Sequence, residues 1–458
     1  MWATIASMPF FLVLVVELPF APVRAFQYFG GLLILRHVMD HALKGRAALR
    51  TSSTTVAALS FLGVVVFSIF IPPLISEPVF VVPEGAGSFL RAYQHPQPLE
   101  FRFSNITQIL YPSFGVILFF TITSNLHSKE DLQRAVRILI AGMLALVAFS
   151  IVFVMCYFVG LQSVINQIFA LTTEFDAAKF SAYNALGGIP RPETLAGEPG
   201  YTGLYYVLVL GIVGGLLGGG YIEGWRPQAP KLLIILLAIA IPTNSSTTSY
   251  FGVAALGASF VLVALLRKNR DITSNRSTRI VVRILIVAGA SLSIAVIALQ
   301  AAGISLIQFI VENHLSKLTE EAGSGAIRLF TVQYSLQEVF VKSPLFGVGY
   351  GSHRALSLAV FLLANIGISG ILAFLAFNGV AFLHAVRTMN RSQDPGLARL
   401  AFALAVTHPA FLLTLFVGKS ETSFSFGWLW LLLGMMEACY RIHRQEIKQR
   451  SASVASVS

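Results

Sequence analysis

Charge is what this chain has least of. Only 12% of its 458 residues are Asp, Glu, Lys or Arg, about half the fraction expected of a soluble globular domain. That shortage argues against a water-soluble fold. Cysteine is scarce too: Cys156 and Cys439 each sit inside an apolar run, where they read as small core hydrophobes rather than a disulfide or a metal pair. No CxxC, no HExxH and no acidic triplet is present, so no metal site is expected. The first apolar run lacks an A-x-A cleavage signal and reads as a retained helix. No internal repeat is visible.

What is abundant is hydrocarbon. Apolar residues make up 55% of the chain, with 36 Phe, and the mean hydropathy is +0.75. About 20 apolar residues cross a bilayer, and about twelve such runs can be traced: 3–20, 26–40, 55–75, 106–126, 135–160, 199–221, 231–243, 247–266, 284–302, 355–386, 399–417 and 423–440. Run ten is too long for one straight crossing, and Asn365 with Gly367 to Gly370 marks its expected break. Glycines at four-residue spacing in run six let helices approach closely in lipid.

The net charge of +11 raises nucleic acid as a partner, but the distribution argues against it. Of 32 Lys and Arg, 22 fall in segments that an even number of crossings places in the cytoplasm, and 10 fall on the other side. That is the positive-inside pattern of an inner-membrane protein. Both termini are therefore expected to be cytoplasmic. The expected architecture is one all-α transmembrane domain, 1–440, with external loops at about 76–105, 161–197 and 303–353. A basic tail, 441–458, is expected to be disordered.

The external side gathers polar groups at one membrane face. Loop two ends in Arg191 and Glu198, and the pinch between runs seven and eight supplies Ser246, Thr247 and Thr248. The longest loop adds Arg328, Tyr334, His353 and Arg354, and the last turn adds Lys419 and Glu421. Within that loop, apolar residues at helical spacing over 325–341 predict an amphipathic interfacial helix. Arginine stays charged and presents a fork of donors matched to phosphate oxygens. Two or three of them facing a lipid diphosphate would hold it and stabilise the charge that develops as it leaves. A carboxylate or imidazole beside an incoming hydroxyl would serve as general base, which makes Glu198 and His353 candidates. Structural roles compete: Arg328 can snorkel to headgroups, and Glu198 can complement a helix dipole. Gly347-Val-Gly-Tyr-Gly351 lacks the Lys and the strand of a nucleotide loop, so its glycines read as a tight re-entry into the membrane.

Three blocks in order carry a family resemblance. Leu195-Ala-Gly-Glu-Pro-Gly-Tyr-Thr202 opens a helix, and Thr243-Asn-Ser-Ser-Thr-Thr-Ser-Tyr250 separates paired helices. Arg328, Ser343-Pro-Leu-Phe-Gly-Val-Gly-Tyr-Gly351 and Leu363-Ala-Asn-Ile-Gly-Ile-Ser-Gly370 form a large loop and re-entry. Over about 190–380 the chain resembles the O-antigen polymerase and ligase superfamily of Wzy-type and WaaL-type membrane glycosyltransferases.

The resemblance implies a GT-C-like fold of about twelve helices, with its large periplasmic loop between helices nine and ten. It implies a metal-independent reaction, without cofactor, on undecaprenyl-diphosphate-linked glycans at the periplasmic face of a bacterial inner membrane. A chain-length regulator and a flippase are the partners it suggests. Where the ligase branch carries a His-Asn pair, this chain has Leu356 and Ser357, with His353 three residues earlier. Gly-Tyr-Gly-Ser-His-Arg-Ala355 looks more like the repeat-unit polymerases, which favours Arg328 and Arg354, assisted by Arg191, as diphosphate ligands. A ligase is the first alternative and a polysaccharide flippase or transporter the second.

Overall fold

The computed structural model describes residues 1–10, 13–18, 21–44, 52–75, 77–83, 89–161, 163–164, 167, 185–186, 189–190, 194, 196, 199–219, 229–244, 246–267, 324–418, 424 and 427–455. These residues are mostly helical. Seven helices are long and apolar enough to cross a membrane, at 53–70, 103–125, 129–156, 199–218, 247–266, 358–391 and 395–418. They correspond to runs three, four, five, six, eight, ten and eleven. Run nine (284–302) lies outside the described residues.

The first run departs from the expected spanning helix. It forms a short helix α1 (Trp2–Ser7) followed by a hairpin of β1 (Leu14–Leu18) with β2 (Ala21–Arg24). Pro9, Pro19 and Pro22 remove backbone donors, and Val13, Val15 and Val16 favour extended backbone. Run two is α2 (Ala25–Lys44). Next come α3 (Ser53–Phe67), β3 (Phe80–Val81), α4 (Phe89–Gln94), β4 (Gln97–Pro98), α5 (Phe103–Asn125) and α6 (Lys129–Phe158). The hairpin Ala185–Leu186 with Ile189–Pro190 precedes α7 (Pro199–Gly219), α8 (Ala229–Thr243) and α9 (Thr247–Leu266). The chain ends with α10 (Ser324–Tyr334), α11 (Leu358–Arg391), α12 (Pro395–Gly418) and α13 (Gly427–Ala455). The basic tail, expected to be disordered, continues α13 as far as Ala455. No Pro or Gly interrupts it after Gly434, and Arg, Gln, Glu and Lys are good helix formers.

The core is built around α12, which packs on α7, α9 and α11. A Cβ at Gly211 would sit 2.7 Å from Thr407 Oγ1, and one at Gly215 only 2.5 Å from Ala403 Cα. The glycine stripe of run six thus lets α7 and α12 touch nearly backbone to backbone. On the other side α13 packs on α5, where the Trp430 indole occupies the space a side chain at Gly115 would need.

The feature that positions the site is the break in α11. Gly367 has φ +64° and ψ −164° inside the helix. An unbroken helix would pair Ile368 N–H with the Ala364 carbonyl and Ser369 N–H with that of Asn365. Segment 344–349 takes all four groups instead. Ala364 O accepts from Val348 N–H (2.9 Å) and Asn365 O from Gly349 N–H (2.9 Å). Ile368 N–H donates to Pro344 O (2.8 Å) and Ser369 N–H to Leu345 O (3.0 Å). A broken apolar helix is tolerated where such partners restore its backbone bonds.

Candidate functional site

Segment 343–354 is held by buried amides and hydroxyls from several elements. Its glycines 347, 349 and 351 all have positive φ, the left-handed turn conformation that glycine adopts without steric cost. The Asn365 amide sits at the break and clamps His353 from both sides. His353 N–H donates to Asn365 Oδ1 (2.9 Å), while Asn365 Nδ2 donates to the carbonyls of His353 (2.7 Å) and Phe361 (2.8 Å). Asn105 Nδ2 donates to Tyr350 O (3.0 Å) and Ser352 Oγ (2.8 Å), and Tyr350 N–H donates to Ser68 Oγ (3.0 Å). Arg354 is fixed through its backbone: its N–H donates to Val82 O (2.7 Å), and its carbonyl accepts from the Tyr93 hydroxyl.

His353 is buried, at 1% exposure. Its Nδ1 accepts from Val82 N–H (3.2 Å), which leaves the proton of the neutral ring on Nε2, 2.8 Å from Ser335 Oγ. Ser335 Oγ in turn donates to Thr331 O (2.6 Å). Tyr334 stacks on the ring at 6.1 Å between centroids, and Tyr93 meets it edge-on at 5.9 Å. Burial pushes the His353 pKa down to about 3. Both ring nitrogens are engaged within the protein, an arrangement suited to holding a loop. The Tyr334 hydroxyl donates to Phe80 O (3.1 Å), and burial, aided by the Glu338 carboxylate, raises its pKa.

Arg328 lies one to two turns back on the same helix. Its Nη1 donates to Gly418 O (3.2 Å), the last carbonyl of α12. A cation at a helix C-terminus is favourable, and one carbonyl engages one of five guanidinium donors. Thr248 stands beside the same glycine, its Oγ1 3.1 Å from where a Gly418 Cβ would lie. Thr248 belongs to the first turn of α9, and the side chain of the N-cap residue Ser246 makes no capping bond there. The Phe416 carbonyl, two residues before Gly418, accepts from Ser357 Oγ (2.6 Å), the N-cap of α11. A further link comes from Asn244, whose Nδ2 donates to Pro199 O (2.6 Å) and Ser249 Oγ (3.1 Å).

The start of α7, the start of α9, the end of α12 and helix α10 are therefore tied into one region. Arg328 and Ser335 stand seven residues apart, about 10 Å along the chain axis of α10 and its continuation. No protein-family model matches the chain, and no curated protein matches it in sequence. The three sequence blocks and their placement are what bear on function.

Of the residues singled out from sequence, Arg328 and Thr248 meet at Gly418, and Tyr334, His353 and Arg354 share the neighbouring cluster. Ser246 is buried and Thr247 exposed at the start of α9. Arg191, Glu198, Lys419 and Glu421 lie outside the described residues. Asn105, Ser335 and Ser357 were not singled out as site residues, Asn244 only as one of the polar residues of the pinch between runs seven and eight, and Asn365 only as a break. A buried Asn within an apolar helical run is itself a signal, because such an amide must find partners.

Proposed function

We propose that the chain is an inner-membrane polymerase of lipid-linked oligosaccharide repeat units. In this reading it has a GT-C-like fold of about twelve crossings, with both termini cytoplasmic and the site periplasmic. It transfers a growing glycan from undecaprenyl diphosphate to the non-reducing end of a new lipid-linked unit, acting beside a flippase and a chain-length regulator. The observation that supports it most is the meeting of Arg328 with Thr248 at Gly418, which brings together two segments that the family resemblance names separately, while Asn244 bonding Pro199 O ties in the third.

Arg328 offers a guanidinium fork next to the N-terminal turn of α9, a combination suited to a diphosphate. Arg354, its backbone fixed on both sides, is the second ligand, and Arg191 the third. The acceptor hydroxyl loses its proton to Glu198, since both nitrogens of His353 serve the loop. Ser246, Thr247, Thr248, Tyr334, Lys419 and Glu421 line the site. The lipid diphosphate leaves with the electron pair of the glycosidic bond, and the arginines stabilise that charge.

Losing a charge-assisted bond to a buried phosphate costs about 1.5–3 kcal/mol, roughly 10- to 100-fold in rate. In cells, Arg328→Ala and Arg354→Ala should each cut polymer yield by that order, and Arg328→Lys should fail to restore it fully. Unchanged polymer length and yield in both alanine variants would sink the assignment. A deletion strain that accumulates single units supports a polymerase, whereas long lipid-linked chains would mean a ligase.

A further inference from the structure

At the far end of α3 from the loop just described, three helices bring together a serine, a histidine and a glutamate. Ser68, where α3 ends, bonds Tyr350 of the candidate site. Ser53, where α3 begins, lies 15 residues back, about 22 Å along the helix. There Ser53 Oγ is 3.2 Å from His384 Nε2, and His384 Nδ1 is 2.7 Å from Glu437 Oε2. His384 comes from α11 and Glu437 from α13, and they are only 2% and 3% exposed. Ser53 is exposed.

The supporting groups are those that such a relay needs. Thr54 Oγ1 donates to the same Glu437 oxygen at 2.7 Å and lies 3.1 Å from His384 Nδ1. Tyr440 stacks on the imidazole at 3.8 Å between centroids, fixing its plane, and Arg444 Cζ lies 6.0 Å from the Tyr440 ring centroid. With Nδ1–H donated to the carboxylate, Nε2 faces the serine hydroxyl as an acceptor. The N–H groups of Ser53 and Thr54 are the first of α3 and have no acceptor within the helix.

We propose that Ser53, His384 and Glu437 form a nucleophile, general base and orienting carboxylate for acyl transfer. Such a constellation is recognised by geometry rather than by sequence order. Ser53 Oγ attacks the carbonyl carbon of a carboxylic ester while its proton moves to His384 Nε2. The tetrahedral adduct collapses, the alcohol leaves carrying that proton, and an acyl-Ser53 ester remains. Water then gives a proton to His384 Nε2 and attacks the acyl carbonyl. The carboxylic acid departs, and the proton returns to Ser53 Oγ. The substrate class follows from the surroundings. Val56 and Leu59, on the first two turns below Ser53, are 59% and 46% exposed, an open apolar face on a membrane-length helix. An amphiphilic ester, with its acyl chain along α3 and its carbonyl at the helix end, fits that surface.

The test uses the purified full-length protein in detergent and a fluorophosphonate probe, followed by peptide mapping and hydrolysis of p-nitrophenyl octanoate. Labelling on Ser53, lost in Ser53→Ala and slowed at least about 100-fold in His384→Gln, is the expected result. Glu437→Gln should slow both reactions as well. No labelling of the wild type, labelling that survives Ser53→Ala, or a folded His384→Gln protein that labels at the wild-type rate would each overturn the proposal. Should His384→Gln not fold, Ser53→Ala decides alone, because it changes an exposed side chain and leaves the His384–Glu437 pair in place. None of these readouts involves polymer synthesis, so they stand or fall apart from the diphosphate site.

Discussion

His353 shows how much a residue's meaning depends on what its two ring nitrogens touch. In the sequence it is the conspicuous base of an external loop. In the fold it is a buried crosspiece between Val82 and Ser335. Its pKa of about 3 lies below the ordinary value near 6.5, so the unfolded chain takes up a proton that the folded one refuses. Stability from this group is complete above about pH 6.5 and is lost as pH falls toward 3, at no more than about 1.4 kcal/mol per pH unit. His353→Gln keeps an acceptor and a donor but does not titrate. Thermal melts of the detergent-solubilised protein should therefore lose Tm more steeply with acidification in the wild type than in His353→Gln. Parallel curves between pH 6.5 and 4 would contradict the neutral, buried ring. Asn365 belongs to the same scale: Asn365→Leu strands a buried N–H and a buried C=O of His353. Each stranded group costs about 1–3 kcal/mol, and a markedly lower Tm is expected.

Among the elements, α11 was the most legible. Its length, its Asn365 and its Gly367–Gly370 cluster pointed to a break, and Gly367 does leave helical φ/ψ. What composition did not reveal was the partner of that break, because the pairing joins residues 16 or 24 positions apart through backbone groups that every residue carries. The same reason hid Ser335 and Asn105, which are ordinary polar residues until the fold brings them to His353 and Tyr350. Apolar runs survive as helices because hydrophobic length is a local property. The first run failed because prolines and β-branched residues overrode its hydropathy. The threaded break gives a paired prediction. An Ala Cβ at Gly367 would collide with the Leu345 backbone, and the φ +64°, ψ −164° conformation adds about 1–3 kcal/mol of its own for a residue with a side chain. At Gly379, farther along α11, nothing lies within 4 Å, and Ala there is worth up to about 1 kcal/mol of helix propensity. Gly367→Ala should lower Tm by several degrees or abolish a monodisperse peak, while Gly379→Ala should hold or raise Tm. Equal melts would mean that 344–349 does not fill the break.

For the whole molecule, the two proposed sites sit at opposite ends of one helical bundle, and the side each faces decides what it can meet. Helix α11 is the only described segment between the exposed Lys342 and the exposed Gln393 once the 343–357 loop is set aside, and it is long and apolar enough to cross a bilayer. If α11 crosses as proposed, those two positions lie on opposite sides of a membrane. In the proposed topology Gln393, beside Arg387 and Arg391, is the cytoplasmic position. In that topology Lys342 falls outside, together with Arg328, His353 and Arg354. Lys342 forms an exposed ion pair with Glu77 (2.8 Å), and breaking an exposed pair costs little, so Lys342→Cys is a mild change. In a Cys156→Ala, Cys439→Ala background, a membrane-impermeant maleimide should label Lys342→Cys in intact cells and Gln393→Cys only after permeabilisation. Labelling of both without permeabilisation would remove α11 as a crossing. The reverse pattern would turn the arginine site toward the cytoplasm, where flipped lipid-linked glycans do not reach it, and would put Ser53 outside. The orientation of this one helix therefore fixes the compartment of both proposed activities.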